Sequence, residues 1–193
     1  VFAAPCLVRV QAEHPGITVE LVTSTSPLSL RGSGFDIAVT VGSATSSRLT
    51  AEALAPYALR LYASRDYLAA HPPIVSLSDL ERHPLVFYVD ALLTVRELDL
   101  APVLNGMHVG FGSTNVFAQL EATRSGAGIG LLHAFMAESD PRLAPVLPGE
   151  VDFRLMFSLS VRKDSLGVEA VRVVRDALFA EVRQRADELL PVR

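Results

Sequence analysis

Cysteine is almost absent from the sequence: Cys6 is the single one in 193 residues. One cysteine cannot close a disulfide within the chain, so nothing favours an oxidising compartment. Cys6 could be a redox-sensing thiol or a small apolar residue on the buried face of a helix. The lack of a second cysteine to resolve a sulfenic acid favours the buried residue.

Long apolar runs and leader sequences are also missing. No stretch is apolar enough over a sufficient length to span a bilayer. The first residues do not form a charged region followed by an apolar one, as a signal peptide does. We therefore expect a cytoplasmic protein without membrane contact. The chain has no initiator methionine and begins at Val1, so we expect it to be part of a larger protein.

An excess of basic residues is lacking. The chain carries 17 Lys and Arg against 21 Asp and Glu, for a net charge of −4. Such a charge gives no general attraction to the phosphate backbone of nucleic acids. We expect that this chain does not itself contact DNA.

Catalytic and metal-binding motifs are absent as well. The five histidines are not spaced as metal ligands with one another or with Cys6. No Gly-x-Ser-x-Gly elbow occurs. The glycine run at residues 125–130 follows a predicted helix and precedes a predicted strand, which is the wrong order for a phosphate-binding loop. It is predicted to end the helix instead. We predict no enzyme activity, no metal and no cofactor.

What is present is an alternation of predicted strands and helices in a chain that is 50% hydrophobic. Nearly continuous apolar runs are typical of strands buried on both faces of a parallel sheet. The pattern predicts an α/β fold with helices flanking parallel sheets. The predicted buried strands are residues 35–41, 85–89 and 108–111, with further strands at 17–22 and 129–133. The predicted helices include residues 2–13, 28–31, 116–125 and 168–190.

Two long predicted strands, near residues 59–63 and 157–161, bracket the middle third of the chain. If both cross between lobes, the middle third is a second Rossmann-like lobe inserted into the first. Lobe I is then residues 1–58 and 159–193, and lobe II is residues 59–158. The hinge between the lobes is expected to form a ligand cleft, with binding groups at the carboxyl ends of strands and at helix N-termini.

Neutral polar residues follow four of the predicted strands. Hydroxyl groups and backbone N–H groups at helix N-termini are good receivers of carboxylates. The sequence therefore favours a small carboxylate or an aromatic acid as the ligand. The candidate effector-binding residues are Thr23, Ser24, Gly42, Ser43, Ser113, Thr114, Asn115, His133 and Phe135.

Each candidate also has a purely structural interpretation. Ser113 and Thr114 could simply cap a helix, and the residues after the first two strands could be solvated turns or loops. His133 could be an edge histidine with satisfied hydrogen bonds. The aromatic residues Phe111, Phe117 and Phe135 could wall a pocket or belong to the core. The positions of three further possible partners for an anion are unresolved in the sequence: Arg48, Arg60 and Arg96.

The order of several sequence segments resembles the effector-binding domain of LysR-type transcriptional regulators. His14, Pro15 and Gly16 stand where that family has Tyr-Pro-Gly. Residues 36–39 stand for its Asp-Leu-Ala-Ile, and residues 125–132 for its Ala-Gly-x-Gly-Ile-Ala-Leu-Leu. The segments cover essentially the whole chain in the right order: VQAEHPGITVELV, GFDIAVTVG, RLYASRDYLAAH, SLSDLERHPLV and STNVFAQLEATRSGAGIGLLHAFMA.

The resemblance implies a fold of the type 2 periplasmic-binding-protein class, with two lobes joined by two crossover strands. It implies a winged helix-turn-helix that binds DNA and a linker helix, both preceding Val1, and a small-molecule effector. It further implies a first sheet strand before Val1. It also implies antiparallel homodimers, in which residues 2–13 and 17–22 of one chain meet lobe II of the other, and tetramers of the full-length protein.

Two other functions stay open from the sequence. A periplasmic solute-binding protein shares the two-lobe plan, and a small enzyme could use the same fold. A helix-turn-helix before Val1 would support the regulator, whereas a signal peptide there would support the solute-binding protein.

Overall fold

The computed structural model describes residues 1–23, 35–42, 46–89 and 106–191. The chain divides into two units, which we call unit 1 (Val1–Pro56 with Met156–Leu189) and unit 2 (Tyr57–Leu155 with Leu190–Arg193). The long strands β2 (Leu49–Ser64) and β7 (Asp152–Arg162) each begin in one unit and end in the other. The assignment of residue ranges to lobes I and II stays a prediction.

Unit 1 packs helices against a short antiparallel pair of strands. Strand β1 (Ile37–Val41) pairs with β7, from Ile37 opposite Val161 to Val41 opposite Phe157. Helix α1 (Ala3–Glu13) packs against α5 (Glu169–Gln184), because both present an apolar stripe at helical spacing. Helix α6 (Ala186–Leu189) follows α5, and a 3₁₀ helix (Lys163–Ser165) precedes it. The buried core of unit 1 consists of Cys6, Leu159, Val161, Val171 and Leu178.

Three predictions for unit 1 are wrong. The strand at residues 35–41 is half-buried and antiparallel to β7, not parallel and buried on both faces. An apolar run reports burial but carries no information on strand direction. Residues 17–22 form no strand, because no ladder partner for them lies within the described residues. The predicted helix at 168–190 is two helices that break at Arg185. The helix predicted at 28–31 lies outside the described residues.

Unit 2 contains a mixed sheet with the strand order β2-β5-β3-β4, and β6 (Leu143–Pro145) also pairs with β2. Strand β5 (Ile129–His133) is antiparallel to β2 and parallel to β3 (Leu85–Phe87), which is parallel to β4 (Val109–Gly112). The helices are α2 (Arg65–Ala70), a 3₁₀ helix (Leu77–Arg82), α3 (Val116–Arg124) and α4 (Ala134–Ala137). The core contains Tyr62, Leu120, Leu132, Met136, Ala137 and Leu143.

Strand β4 corrects a further prediction. The sequence predicted a buried strand at residues 108–111, but β4 is exposed along its whole length. It is the last strand of the order found in the described part of unit 2, so it has one neighbour, β3. Among the described residues β4 is therefore an edge strand, and the side chains of Val109 and Phe111 are exposed.

The glycine run at residues 125–130 does end a helix, as predicted. Gly126 has a φ of 82° and follows Ser125, the C-cap residue of α3. At Gly128, with a φ of 141°, a Cβ would stand 2.1 Å from the carbonyl oxygen of Pro84, so only glycine fits. This close approach lets β5 enter the sheet beside β3. None of the helices in the described ranges is long and apolar enough to cross a membrane.

Candidate functional site

The carboxyl ends of β5, β3 and β4 lie at one edge of unit 2, because these three strands are parallel. His133 ends β5, and Ser113 follows the end of β4. Because β3 lies between them, β5 and β4 are two strand spacings apart, a distance of about 10 Å. Both residues therefore lie at the carboxyl-terminal edge of this part of the sheet.

The turn before α3 is held by hydrogen bonds to two neighbouring elements, β3 and α3. The backbone N–H of Ser113 donates to the carbonyl of Phe87 at 3.0 Å, which ties the turn to β3. The carbonyl of Ser113 accepts from Nε2 of Gln119 at 2.7 Å. Gln119 is buried and belongs to α3, so its amide holds the turn against the helix. Ser113 therefore lies in a rigid turn rather than in a mobile loop.

Asn115, not Ser113 or Thr114, is the residue that caps α3. Its Oδ1 accepts from the backbone N–H of Phe117 at 2.9 Å and of Ala118 at 3.3 Å. The Ser113 hydroxyl oxygen accepts from the N–H of Asn115 at 3.1 Å and can still donate its own proton. Thr114 is half-buried, and its hydroxyl has no hydrogen-bond partner among the described residues.

His133 and Phe135 belong to an aromatic group. The ring of His133 stacks on Tyr57, with 5.2 Å between centroids and 18° between planes. Phe135 lies 5.1 Å from His133 and meets Tyr57 edge-on at 6.4 Å. Burial lowers the pKa of His133 to about 4, because the protein interior disfavours the imidazolium. At neutral pH this edge of unit 2 therefore presents a neutral imidazole.

The unit 1 candidates form no comparable group in the described residues. Thr23 is exposed and ends a segment without ladder pairing. Gly42 has a φ of 70°, and its N–H donates to the carbonyl of Met156 at 2.9 Å, so it makes a turn directly after β1. Ser24 and Ser43 lie outside the described residues.

Two residues that contact the unit 2 candidates, Gln119 and Tyr57, were missed from the sequence. Gln119 lies one helical turn after the Asn115 cap, and a polar residue on the buried face of α3 was the signal. Tyr57 begins the unit 2 part of β2, two residues before the pairing of Leu59 with His133. Tyr57 reaches His133 only because β2 pairs with β5, and no local sequence pattern indicates that pairing.

The remaining aromatic and cationic candidates differ in burial. Phe111 and Phe117 are exposed, whereas Phe135 packs against the core of unit 2. Arg60 is buried and bonded to two carboxylates, Arg48 is exposed, and Arg96 lies outside the described residues. Across the described ranges, no group of three or more His, Cys, Asp or Glu side chains could hold a metal ion.

Comparison with protein families identifies this arrangement. Residues 1–183 match the family described as LysR substrate binding domain. The chain belongs to the LysR substrate-binding domain family. The predicted resemblance is therefore confirmed, and with it the α/β fold of two type 2 periplasmic-binding-protein-like lobes. As a LysR substrate-binding domain, the chain is the effector-sensing part of a transcriptional regulator, and the alternative of a periplasmic solute-binding protein is not favoured.

Solved structures of LysR-type regulators are similar to this LysR substrate-binding domain. The CrgA regulatory domain from Neisseria meningitidis is 26% identical, with a TM-score of 0.77 over 92% of this chain and 90% of that chain. The AmpR effector domain of Pseudomonas aeruginosa is 22% identical, with a TM-score of 0.73 over 96% and 91%.

Full-length AphB, a Vibrio cholerae virulence activator, is 22% identical, with a TM-score of 0.71 over 91% of this chain. The match covers 62% of the length of that full-length regulator. No curated protein sequence is matched by the chain.

Proposed function

We propose that this LysR substrate-binding domain binds a small organic carboxylate or aromatic acid through the Ser113–Thr114 turn and the aromatic group around His133. The observation that carries the proposal is the turn itself. Its backbone is fixed to β3 and to Gln119, while the Thr114 hydroxyl takes no part in the described hydrogen bonds. A fixed turn with a spare donor binds a ligand without first being ordered.

The electrostatics of this edge favour hydrogen bonding over ion pairing. His133 is neutral at pH 7 because burial lowers its pKa to about 4. A neutral imidazole, two hydroxyls and backbone N–H groups orient a carboxylate without a fixed counter-charge. The rings of His133 and Phe135 supply an apolar wall for an aromatic acid. In unit 1, Thr23, Ser24, Gly42 and Ser43 are proposed as further effector contacts.

The proposed role in regulation follows from linkage. An effector that binds one conformation of the domain better than another shifts the population towards it. DNA contacts made by a separate part of the full-length protein change when that population changes. We propose that the protein works in the cytoplasm, where its DNA is, and that this domain performs no chemical step.

A second copy of the chain is the proposed partner. Unit 1 exposes Val8 on α1, with 66% of its surface accessible, and Leu21 and Val22 in the unpaired segment. Unit 2 exposes Val109 and Phe111 on β4 together with Phe117 on α3. We propose that the unit 1 surface of one copy covers the unit 2 surface of the other. A two-fold axis repeats this contact, so both apolar surfaces of each copy are covered. The full-length protein is proposed to assemble further, into tetramers.

The effector site is tested by changing Thr114 to Val, which removes the hydroxyl and keeps the shape of the side chain. Thermal-shift titration with benzoate, salicylate and succinate identifies a binding acid. At one hundred times the Kd, binding stabilises the domain by about 2.7 kcal/mol. We expect Thr114→Val to weaken binding on the order of tenfold, because one hydrogen bond to a charged group is lost.

The matched control is Ser139→Ala, which removes an exposed hydroxyl of unit 2 that is not among the proposed effector contacts. It should bind the same acid with unchanged Kd. Equal affinity of Thr114→Val and the unchanged chain for each stabilising acid would reject the assignment of the turn.

A further inference from the structure

Arg60 is a buried cation in unit 2 that donates to three different segments of the chain. Its Nε donates to Oδ1 of Asp152 at 2.9 Å, and its Nη1 donates to Oε1 of Glu138 at 2.8 Å. Its Nη2 donates to the backbone carbonyl of Pro191 at 2.9 Å. Only 9% of the Arg60 side chain is exposed. All three nitrogens of one guanidinium are thus engaged, each by a separate acceptor.

Arg60, Asp152 and Pro191 lie where the chain passes between the two units. Arg60 lies on β2, Asp152 begins β7, and Pro191 follows α6. These are the segments in which the chain passes from one unit to the other, and each group lies within four residues of its crossing. Two of the crossings are continuous strands. The third, after α6, has no ladder pairing in the described residues and is joined to unit 2 by the Arg60 bond.

The contact requires a guanidinium. Its planar fork directs N–H groups to separate acceptors, whereas a lysine ammonium is a point charge. Tyr62 supports the arrangement from the same strand, because its hydroxyl donates to the Glu138 oxygen that Arg60 also binds, at 3.0 Å. Two carboxylates compensate the buried charge, so the bond to Pro191 is not needed to neutralise Arg60.

We propose that Arg60 is a positioning residue that fastens the chain segment after α6 to unit 2. The chain crosses between the units in β2, in β7 and after α6, and in this proposal Arg60 holds the third crossing. The segment after α6 follows unit 2 when the units rearrange. This proposal concerns the connection between units and does not depend on the identity of the effector or on the dimer surfaces.

The test is hydrogen exchange of the full chain with Arg60→Gln. The amides of Glu188 and Leu189, which donate to the carbonyl of Arg185, report on α6. We expect their exchange to rise on the order of tenfold, because a charge-assisted hydrogen bond that holds the following segment is lost. Exchange in β3 and β5 should stay within about twofold of the unchanged chain.

The matched control is Arg65→Gln. Arg65 also donates to a proline carbonyl, that of Pro141 at 2.9 Å, but it does not contact the segment after α6. Its variant should leave exchange of α6 unchanged. Unchanged α6 exchange in Arg60→Gln, or an equal rise throughout unit 2, would overturn the proposal.

Two further variants keep the proposal testable if Arg60→Gln does not fold. Truncation after Leu190 removes the Pro191 acceptor and leaves every partner side chain of Arg60 in place. Arg60→Lys keeps the charge beside Asp152 and Glu138. Both should raise α6 exchange as Arg60→Gln does, and combining Arg60→Lys with the truncation should add nothing further. Protected α6 amides in either variant would overturn the proposal.

Discussion

At the scale of single residues, the protonation state of His133 bears on the proposed effector site. Its ring is stacked on Tyr57 and is half-buried, and burial lowers its pKa to about 4 from an ordinary value of 6.5. Between these two values the unfolded chain binds a proton at this residue and the folded chain does not. The contribution of neutral His133 to the free energy of unfolding is therefore fully present above about pH 6.5. It is lost as the pH falls towards 4.

This pH dependence is measurable by urea unfolding between pH 8 and pH 4. We expect His133→Asn to reduce the loss of unfolding free energy over that range by at most on the order of 3 kcal/mol. His83, whose pKa burial also lowers, keeps part of the dependence in the variant. Above pH 7 the two proteins should show parallel curves. Curves that stay parallel down to pH 4 would contradict the shifted pKa of His133.

The sequence predicted the residues of this edge better than it predicted their roles. Ser113, Thr114 and Asn115 were recognised because hydroxyl and amide side chains before an apolar helical pattern mark an N-terminus. Which of the three caps the helix depends on backbone angles, and Asn115 takes that role. Tyr57 and Gln119 were missed because their importance arises from strand pairing and from one tertiary hydrogen bond.

At the scale of secondary-structure elements, α3 depends on its cap. Asn115 Oδ1 satisfies two N–H groups at the first turn of a helix of nine residues. We expect Asn115→Ala to lower the unfolding free energy by about 1 kcal/mol. Asn115→Ser, which retains a capping oxygen, should recover most of the loss. Denaturant unfolding with unchanged slope measures both, and equal stability of the Ala and Ser variants would contradict the capping role.

The elements that were predicted wrongly share a physical cause. Strand β5 was predicted correctly because its apolar run, its length and the preceding glycines all agree. Strand β1 has the same kind of run, but its direction is set by β7, more than one hundred residues later. The break at Arg185 follows no glycine or proline, so the local sequence gives no sign of it. Pairing partners and helix ends of this kind are decided by tertiary contacts.

At the scale of the whole molecule, the proposed dimer predicts which apolar side chains matter for assembly. We expect Phe117→Glu and Val8→Glu each to shift the chain from dimer towards monomer, because a buried carboxylate would lack a partner in the interface. Analytical ultracentrifugation over a concentration series measures the shift. We expect the dissociation constant to rise at least about a hundredfold.

The control for assembly is Val75→Glu. Val75 is a more exposed apolar residue of unit 2, at 76%, and lies outside both proposed surfaces. It should dimerise as the unchanged chain does. Equal loss of dimer in all three variants would mean that general apolar exposure drives association, and would reject the proposed contact.

The lone cysteine has a practical consequence for measuring how the two units move. Cys6 is 3% exposed in the core of unit 1, and burial raises the pKa of its thiol, so little thiolate is available to react. A maleimide dye or a nitroxide spin label should therefore attach only to cysteines introduced at chosen surface positions. One label in each unit would then give inter-unit distances, with and without effector, on a background that needs no prior removal of native thiols.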